Sequence, residues 1–384
     1  MSKQSSVISV LGESQLIIIK VGSVLVRGAD LDEVNASWME SLARDIASLK
    51  AQGKKIVLVS SGGVALGRKA LNISADVAPN AIPLAKKQAA SAVGQYHLFN
   101  GYFQAFKKNG LMAAQVLLTM SETENRRMNL NARETLYTLL EDDIIPIINE
   151  NDTVSTGEIR FGDNDRLAVR VAQMVMADCV ILLSTADGLC TDNPQNNPQA
   201  KHIPVIEAIT QDHIDMAGDA VAGLSTGGMK SKIEAAQSAV KAGIHLIMTE
   251  GRDNGALSDL CQQEDKLSSI FLAQKTNANA RKVWLASHMS PRGVAIIDEG
   301  ALNALKNGKS LLPIGVKAVE GTFLRGDVIE IKTQDGQRVG MGLSAYKSDD
   351  AMRIIGKQSG EIGKILGYLG RNELIHRNDM VLEA

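Results

Sequence analysis

Two lysines of this chain stand beside glycine-rich turns, where positive charge and backbone N–H groups could bind an anion. Lys20 ends the apolar run LIIIK at 16–20 and precedes the turn VGS. Lys232 follows Gly227 and Gly228 and lies in the first turns of a predicted helix. A positive charge at a helix N-terminus opposes the helix dipole, which costs stability unless an anion binds there. Each lysine alone could be a surface charge, but the second pattern indicates a phosphate site.

A further anion-binding pattern is SSGG at 60–63, which follows the apolar run KIVLV and lies at the start of the predicted helix GVALGRKAL at 63–71. The N–H groups of a helix N-terminus suit a carboxylate or a phosphate. Ser61 could instead simply cap the helix, and the residues alone do not choose between these interpretations. The chain has no GxxxxGKS or GxxxxGKT motif, which disfavours an ordinary P-loop.

The polar run from 149 to 165 holds more Asn and Asp than a plain turn needs. NEND at 149–152 and DND at 163–165 lie at its two ends. Their carboxylate and amide groups could bind an ammonium group together with the carboxylate beside it. The residue spacing of an EF-hand calcium loop is absent.

The sequence shows no residue pattern for several other kinds of catalysis. The six histidines show neither metal-ligand spacing nor pairing with a nucleophile, and the three cysteines form no CxxC pair. Neither a nucleophilic triad nor a zinc or disulfide framework is therefore indicated. Lysines, glycine-rich turns and acidic residues are what phosphoryl transfer requires, because its catalysis depends on positioning and on neutralising charge.

The elements that must position these residues alternate between strands and helices. Short apolar runs predict strands, and amphipathic stretches between them predict helices. The predicted strands are 16–20, 54–63 with its glycine turn, 113–119, 144–148 and 179–184, and the predicted helices are 31–52, 83–109, 124–141 and 164–177. This order predicts an α/β fold with an open, mostly parallel sheet sandwiched by helices, and a ligand site at the carboxyl ends of the strands.

A change of pattern near residue 275 predicts a second, smaller domain. Beyond it, short strands with glycine turns indicate a compact β-rich module, and 384 residues are enough for two cores. The net charge of -2 gives no electrostatic reason for nucleic acid or an acidic membrane as the main partner. No signal peptide or membrane-spanning run is recognisable, so we expect a cytoplasmic location.

Five motifs in this order resemble the amino acid kinase family, and specifically its members that phosphorylate glutamate. They are Lys20 with Gly22, SSGG at 60–63, NEND at 149–152, GDND at 162–165 and TGGMKSK at 226–232. In the second domain, SLLPIGVKAVEGTFLRGDVIEI resembles the PUA module that bacterial members carry at their C-terminus. We therefore predict a kinase domain at 12–274 and a PUA domain at 281–384.

The resemblance implies transfer of a phosphoryl group from Mg-ATP to the side-chain carboxylate of glutamate, as the first step of proline biosynthesis. It implies that Lys20 and Lys232 stabilise charge on the transferring group, that Asp165 holds both lysines, and that Mg²⁺ arrives with ATP. The glutamate carboxylate is ionised at neutral pH, so no general base is needed. The implied glutamate-binding residues are Ser61, Gly62, Asn149, Asp152, Asp163 and Asn164. The implied nucleotide-binding residues are Lys20, Gly22, Ser184, Thr185, Thr226, Gly227, Gly228, Met229, Lys230, Ser231 and Lys232.

The resemblance also bears on partners and alternatives. Proline is a common feedback inhibitor in this family, a glutamyl phosphate reductase is a candidate acceptor of the product, and a homo-oligomer is expected, but the residues do not choose between a dimer and a tetramer. One alternative is a related kinase with another substrate. A second is an RNA-binding regulator with a degenerate kinase domain, which the retained lysines and the near-neutral charge disfavour.

Two departures from the family pattern concern the nucleotide. The first turn, KVGSVL, has one small polar residue fewer than is usual. Thr185 stands where aspartate is common, and Cys190 stands where tyrosine is common. We expect the contacts to phosphate and adenosine to differ here, while Lys20, Lys232 and Asp165 are unaffected.

Overall fold

The computed structural model describes residues 5–28, 33–74, 76–78, 81–155, 164–194, 196–216, 228–262, 266–273 and 291–383. The chain divides into two units, Met1–Asn277 and Ala278–Ala384. Each unit has its own sheet and its own apolar core. The first unit is α/β and the second is rich in β-strands, which confirms the predicted fold class.

Strands of the first unit form one large sheet and one small one. The strands are β1 (Leu16–Val21), β2 (Lys55–Ser60), β3 (Ala113–Leu118), β4 (Ile145–Glu150), β5 (Cys179–Ser184), β6 (Leu189–Cys190), β7 (His202–Ile203), β8 (Val205–Ile206), β9 (His245–Glu250) and β10 (Ser268–Phe271). The large sheet has the order β3-β4-β2-β1-β5-β9-β10-β8. Its neighbouring strands are parallel except β9 and β10. Strands β6 and β7 pair separately.

Helices cover both faces of the large sheet. They are α1 (Ser5–Glu13), α2 (Ser23–Val26), α3 (Ala36–Ala51), α4 (Gly63–Leu66), α5 (Leu84–Lys108), α6 (Met120–Glu124), α7 (Arg126–Glu141), α8 (Asn164–Val175), α9 (Gln211–Met216), α10 (Met229–Lys241) and α11 (Ala256–Gln262). Within the part of the chain that the structure describes, no helix has the length and hydrophobicity that crossing a membrane requires.

The central strand β1 shows how the two faces are built. Successive side chains of a strand point to opposite faces of its sheet. Ile17 and Ile19 belong to the core that contains residues of α3, α5 and α11, whereas Ile18 belongs to the core with residues of α8 and α10. Lys20 shares the parity of Ile18, so its side chain is directed to the face covered by α8 and α10.

The second unit contains a five-stranded sheet. Its strands are β11 (Gly293–Ile297), β12 (Val316–Gly321), β13 (Val328–Thr333), β14 (Arg338–Leu343) and β15 (Met380–Leu382), in the order β12-β11-β13-β14-β15. Its helices are α12 (Glu299–Lys306), α13 (Ser348–Ile354) and α14 (Ile362–Leu366). Phe323, Ile329 and Leu374 are among the residues of its separate core.

The helix after SSGG is shorter than the sequence pattern suggests. Helix α4 ends at Leu66, and a short 3-10 turn follows at Lys69–Leu71. Gly67 lies against helix α5 so closely that a Cβ atom there would be 1.8 Å from the carbonyl oxygen of Ala90. This close backbone contact packs the end of α4 directly on α5.

Candidate active site

A buried carboxylate joins two buried lysines at the centre of the first unit. The two Asp165 oxygens each meet one lysine, with the Lys20 Nζ at 2.5 Å and the Lys232 Nζ at 2.6 Å. Asp165 has no exposed surface, and only 5% of Lys20 and 7% of Lys232 are exposed. The three residues come from β1, α8 and α10, so the fold unites positions that are far apart in sequence.

The charges of this centre determine the protonation of Asp165. Burial alone would raise the pKa of its carboxyl group, but the charges and hydrogen bonds of Lys20 and Lys232 together outweigh that effect. The pKa therefore lies well below its ordinary range. One carboxylate between two ammonium groups leaves a net positive charge in a poorly solvated place, which favours an anion.

Asn164, the residue before Asp165, links three segments of the predicted site. Its side-chain amide donates to the carbonyl oxygen of Ser60 at 2.8 Å, the hydroxyl oxygen of Ser61 at 2.9 Å and the Oδ1 of Asn149 at 2.8 Å. Two amide hydrogens thus serve three acceptors. Asn149 Oδ1 also accepts the backbone N–H of Glu150 at 2.8 Å, so the ends of β2 and β4 are joined through α8.

The SSGG turn requires glycine at its third position. Gly62 has a φ of 121°, and a Cβ atom there would be 2.7 Å from a side-chain carbon of Val26. Gly62 is also the N-cap of α4, and no side chain caps that helix. The interpretation of Ser61 as a simple helix cap is therefore wrong; its hydroxyl faces Asn164 instead.

The first turn is closed by apolar packing. Gly22 is the N-cap of helix α2, and its backbone N–H donates to the carbonyl oxygen of Leu183 at 3.1 Å. Leu25 and Val26 of α2 are buried. The amide of Gly22 is thus bonded to β5, and the residues after it fold as a single helical turn whose Val26 side chain lies beside Gly62 of the SSGG segment.

The turn after β4 is held by helix α5 through contacts that the sequence analysis did not foresee. Ser91 of α5 is fully buried, and its hydroxyl donates to Asp152 Oδ2 at 2.9 Å. Gln88 of the same helix donates to the carbonyl oxygen of Ser155 at 3.1 Å. The signal in the sequence was a polar residue, Ser91, on the buried and mostly apolar side of α5.

Apart from Lys20 and Gly22, the described residues that were predicted to bind nucleotide lie at the end of β5 and at the start of α10. Ser184 ends β5 and accepts the backbone N–H of Ala186 at 3.1 Å, while Thr185 is exposed. Gly228 is the N-cap of α10, and Ser231 donates to its carbonyl oxygen at 2.9 Å. Met229 is half-buried and Lys230 is exposed. Asp163, Thr226 and Gly227 lie outside the described residues.

The described side chains offer electrostatic positioning more readily than metal binding. Among the residues that the structure describes, no group of three or more His, Cys, Asp and Glu side chains could hold a metal ion. The three cysteines are free thiols. The arrangement combines a cationic centre with a neighbouring cluster of amides, hydroxyls and a carboxylate, which suits an anion beside a small polar molecule.

Comparison with known proteins gives consistent matches. The profile of the "Amino acid kinase family" matches residues 15–250, and that of the "PUA domain" matches residues 293–366. A protein of Ruegeria named Glutamate 5-kinase is 47% identical over 372 residues, covering 97% of this chain and 99% of that protein. Proteins of the same name from Gluconobacter oxydans and Paramagnetospirillum magneticum are each 44% identical, covering 97% and 98% of this chain and 97% and 100% of their own lengths.

Proposed function

This chain belongs to the amino acid kinase family, and on that premise we propose that it phosphorylates the side-chain carboxylate of glutamate with ATP. The observation that carries the proposal is the adjacency of Asn164 and Asp165 at the start of α8. Asn164 reaches the predicted glutamate residues Ser61 and Asn149, while Asp165 holds both lysines. One helix end thus connects a substrate-binding cluster to a phosphate-binding centre.

The two lysines would act on the transferring phosphoryl group. Charge spreads over its oxygens in the transition state, and positioned cations stabilise that charge. Asp165 would keep the Lys20 and Lys232 ammonium groups in place without neutralising both. The glutamate carboxylate is the nucleophile and is ionised at neutral pH, so the residues need to align it rather than to remove a proton.

Glutamate as the acceptor is supported by the names of the three relatives and by the chemistry of the cluster. Ser61, Asn149 and Asn164 supply hydroxyl and amide groups for the carboxylates, and Asp152 supplies a negative charge for the ammonium group. Gly62 lets the turn approach the ligand closely. Asp163, which lies outside the described residues, is proposed as a further member of this set.

Mg-ATP is the proposed co-substrate. Helix α10 begins after Gly228 with no acidic residue in its first turn, so its N-terminus favours phosphate oxygens. The proposed nucleotide residues are the end of β5 (Ser184 and Thr185), the segment 226–232, and Lys20 with Gly22. Mg²⁺ would be held chiefly by the phosphates, in keeping with its preference for oxygen ligands.

The test is ADP release in the presence of Mg-ATP and glutamate, with acetylglutamate, aspartate and UMP as competing candidates. We expect turnover with glutamate, and an acyl phosphate that hydroxylamine traps as a hydroxamate. Lys232→Ala should lower kcat by about 100-fold or more. Lys241→Ala, which removes an exposed lysine from the same helix, is the matched control and should leave kcat unchanged. Turnover that does not depend on glutamate would refute the proposal.

The assignment of Asp152 has a test of its own. Asp152→Ala should raise KM for glutamate far more than KM for ATP, because it removes the charge that faces the ammonium group. Equal increases in both constants would contradict the assignment.

Further parts of the proposal follow from the family resemblance. The kinase domain is assigned to 12–274 and the PUA domain to 281–384, with a cytoplasmic location. The labile acyl phosphate fits the first step of proline synthesis and uptake by a glutamyl phosphate reductase. Titration of the rate with proline, coupled assays with the reductase, and mass determination in solution test inhibition, hand-off and assembly into a dimer or tetramer.

A further inference from the structure

We propose that Ser91 is a positioning residue for glutamate binding, and that it acts by orienting the Asp152 carboxylate. The inference rests on the proposed function, because it concerns the affinity for an ammonium-bearing substrate. Ser91 belongs to none of the five sequence motifs. It lies on α5, which packs against the turn that follows β4.

The contact is short, and its serine partner is shielded from water. The Ser91 hydroxyl donates to Asp152 Oδ2 at 2.9 Å, and Ser91 has no exposed surface. Hydrogen bonds to charged groups contribute more than neutral ones, and burial limits competition from water. A carboxylate can accept several hydrogen bonds, so the serine can fix its orientation while it still binds an ammonium group.

The same helix holds the turn at a second point. Gln88, one helical turn before Ser91, donates to the carbonyl oxygen of Ser155 at 3.1 Å. Ser155 in turn donates from its hydroxyl to Glu150 Oε1 at 3.3 Å. Helix α5 therefore fixes the Asp152 side chain and the backbone three residues later, which restrains the turn as a unit.

Helix α5 is itself fixed against the SSGG turn. A Cβ atom at Gly94 would be 1.8 Å from the carbonyl oxygen of Gly63, and one at Gly67 would be 1.8 Å from that of Ala90. The two backbones are thus in direct contact. Since α5 also holds Asp152 through Ser91, it fixes the distance between the Asp152 carboxylate and the turn that contains Ser61. A fixed distance is needed because glutamate must bind through its ammonium group and its carboxylates at the same time.

The experiment compares Ser91→Ala with Ser41→Ala. Ser41 is a buried serine of α3 that accepts the backbone N–H of Gly255 at 2.9 Å, so its loss controls for removal of any buried hydroxyl. We expect Ser91→Ala to raise KM for glutamate about tenfold, which corresponds to about 1.4 kcal/mol. The KM for ATP and kcat should stay within about twofold. Ser91→Cys, which keeps the volume but donates weakly, should behave like Ser91→Ala and guards against a folding defect.

Two further measurements separate positioning from general damage. Glutarate, which lacks the amino group, should inhibit the Ser91→Ala and unaltered proteins equally. In an Asp152→Ala background, Ser91→Ala should have no additional effect on KM for glutamate.

Each outcome has a distinct meaning. If the unaltered chain turns over glutamate but Ser91→Ala changes KM no more than Ser41→Ala does, the inference is overturned and the proposed function stands. If Ser91→Ala raises KM for glutamate and KM for ATP together, the role of Ser91 is structural and the inference is again overturned. The same holds if Ser91→Ala weakens glutarate binding as much as it weakens glutamate binding. If the unaltered chain shows no glutamate-dependent turnover, the proposed function fails and the inference fails with it.

Discussion

Replacing Asp165 by asparagine tests the charge balance of the buried centre. Asparagine keeps the shape of the side chain but removes its negative charge. Lys20 and Lys232 would then lie close together in a place where only 5% and 7% of their surfaces are exposed. The variant should therefore be less stable, should be slower, and should bind anions more readily.

The size of the effect follows from the geometry. Breaking a buried ion pair by removing one partner costs about 3–5 kcal/mol. Repulsion between the two ammonium groups, taken as about 5 Å apart at an effective dielectric constant of about 20, is about 3 kcal/mol. The two figures describe the same change and are not added. We therefore expect the free energy of unfolding to fall by about 4 kcal/mol, which lowers Tm by about 10 °C in a domain of this size. Without the Asp165 charge the two lysine ammonium groups lose their fixed positions, which should lower kcat by about 100-fold.

Thermal melting with and without sulfate is the assay. Sulfate should raise the Tm of Asp165→Asn more than that of the unaltered protein, because an anion replaces the missing charge. The matched control is Asp143→Asn, since Asp143 pairs with Lys50 at 2.7 Å but is 85% exposed. That change should cost less than about 1 kcal/mol. Asp165→Asn with the Tm and kcat of the unaltered protein, and no added response to sulfate, would refute the reasoning.

Three other predictions concern stability. The stability that Asp165 contributes should be complete above about pH 5 and decline below about pH 4, because its lowered pKa keeps it charged in the folded protein at a pH where the unfolded chain is protonated. Urea titrations at pH 3, 5 and 7 measure this as the difference in unfolding free energy between the unaltered and Asp165→Asn proteins. A difference that did not shrink at pH 3 would contradict the prediction. Lys54→Met should lower the free energy of unfolding by about 2 kcal/mol and leave the enzyme kinetics unchanged, since the Lys54 Nζ donates to three carbonyl oxygens at the end of α1. Denaturant unfolding of the control Lys55→Met, which changes the exposed neighbouring lysine, should show almost no loss of stability. Equal losses in the two variants would argue against this role of Lys54. Gly67→Ala should cost about 3 kcal/mol through backbone overlap, whereas Gly12→Ala, with nothing within 4 Å of a Cβ atom, should be neutral or stabilising in the same unfolding assay.

The strands were predictable because burial on both faces leaves a strong sequence signal. LIIIK and CVILLS are continuous apolar runs, and they form the central strands β1 and β5. Strand β10, which pairs antiparallel with β9 and parallel with β8, was not predicted, since its four residues, SSIF, include two serines. The predicted helix at 63–71 was too long, since α4 ends at Leu66 and the next residue, Gly67, packs closely on α5, which is a tertiary contact that local propensity does not contain.

The site was predictable as a set of motifs but not as a geometry. Positive charge at the start of α10 led us to predict a phosphate site, whereas the sharing of Asp165 by Lys20 and Lys232 was implied by the family resemblance and not by any local pattern. The role of Ser61 stayed open in the sequence because helix capping and ligand binding use the same hydroxyl. Ser91 was missed because a lone serine in an amphipathic helix gives no sign of the partner that the fold brings to it.

The start of α8 carries a consequence for altering substrate choice. An α-helix turns by about 100° for each residue, so sliding α8 by one position would turn both Asn164 and Asp165 away from their partners. The proposed recognition of the acceptor through Asn164 and the arrangement of the lysines by Asp165 therefore depend on the same position of this helix. A chain redesigned for a different acceptor should therefore keep α8 in register and vary the turn after β4, which contains Asp152.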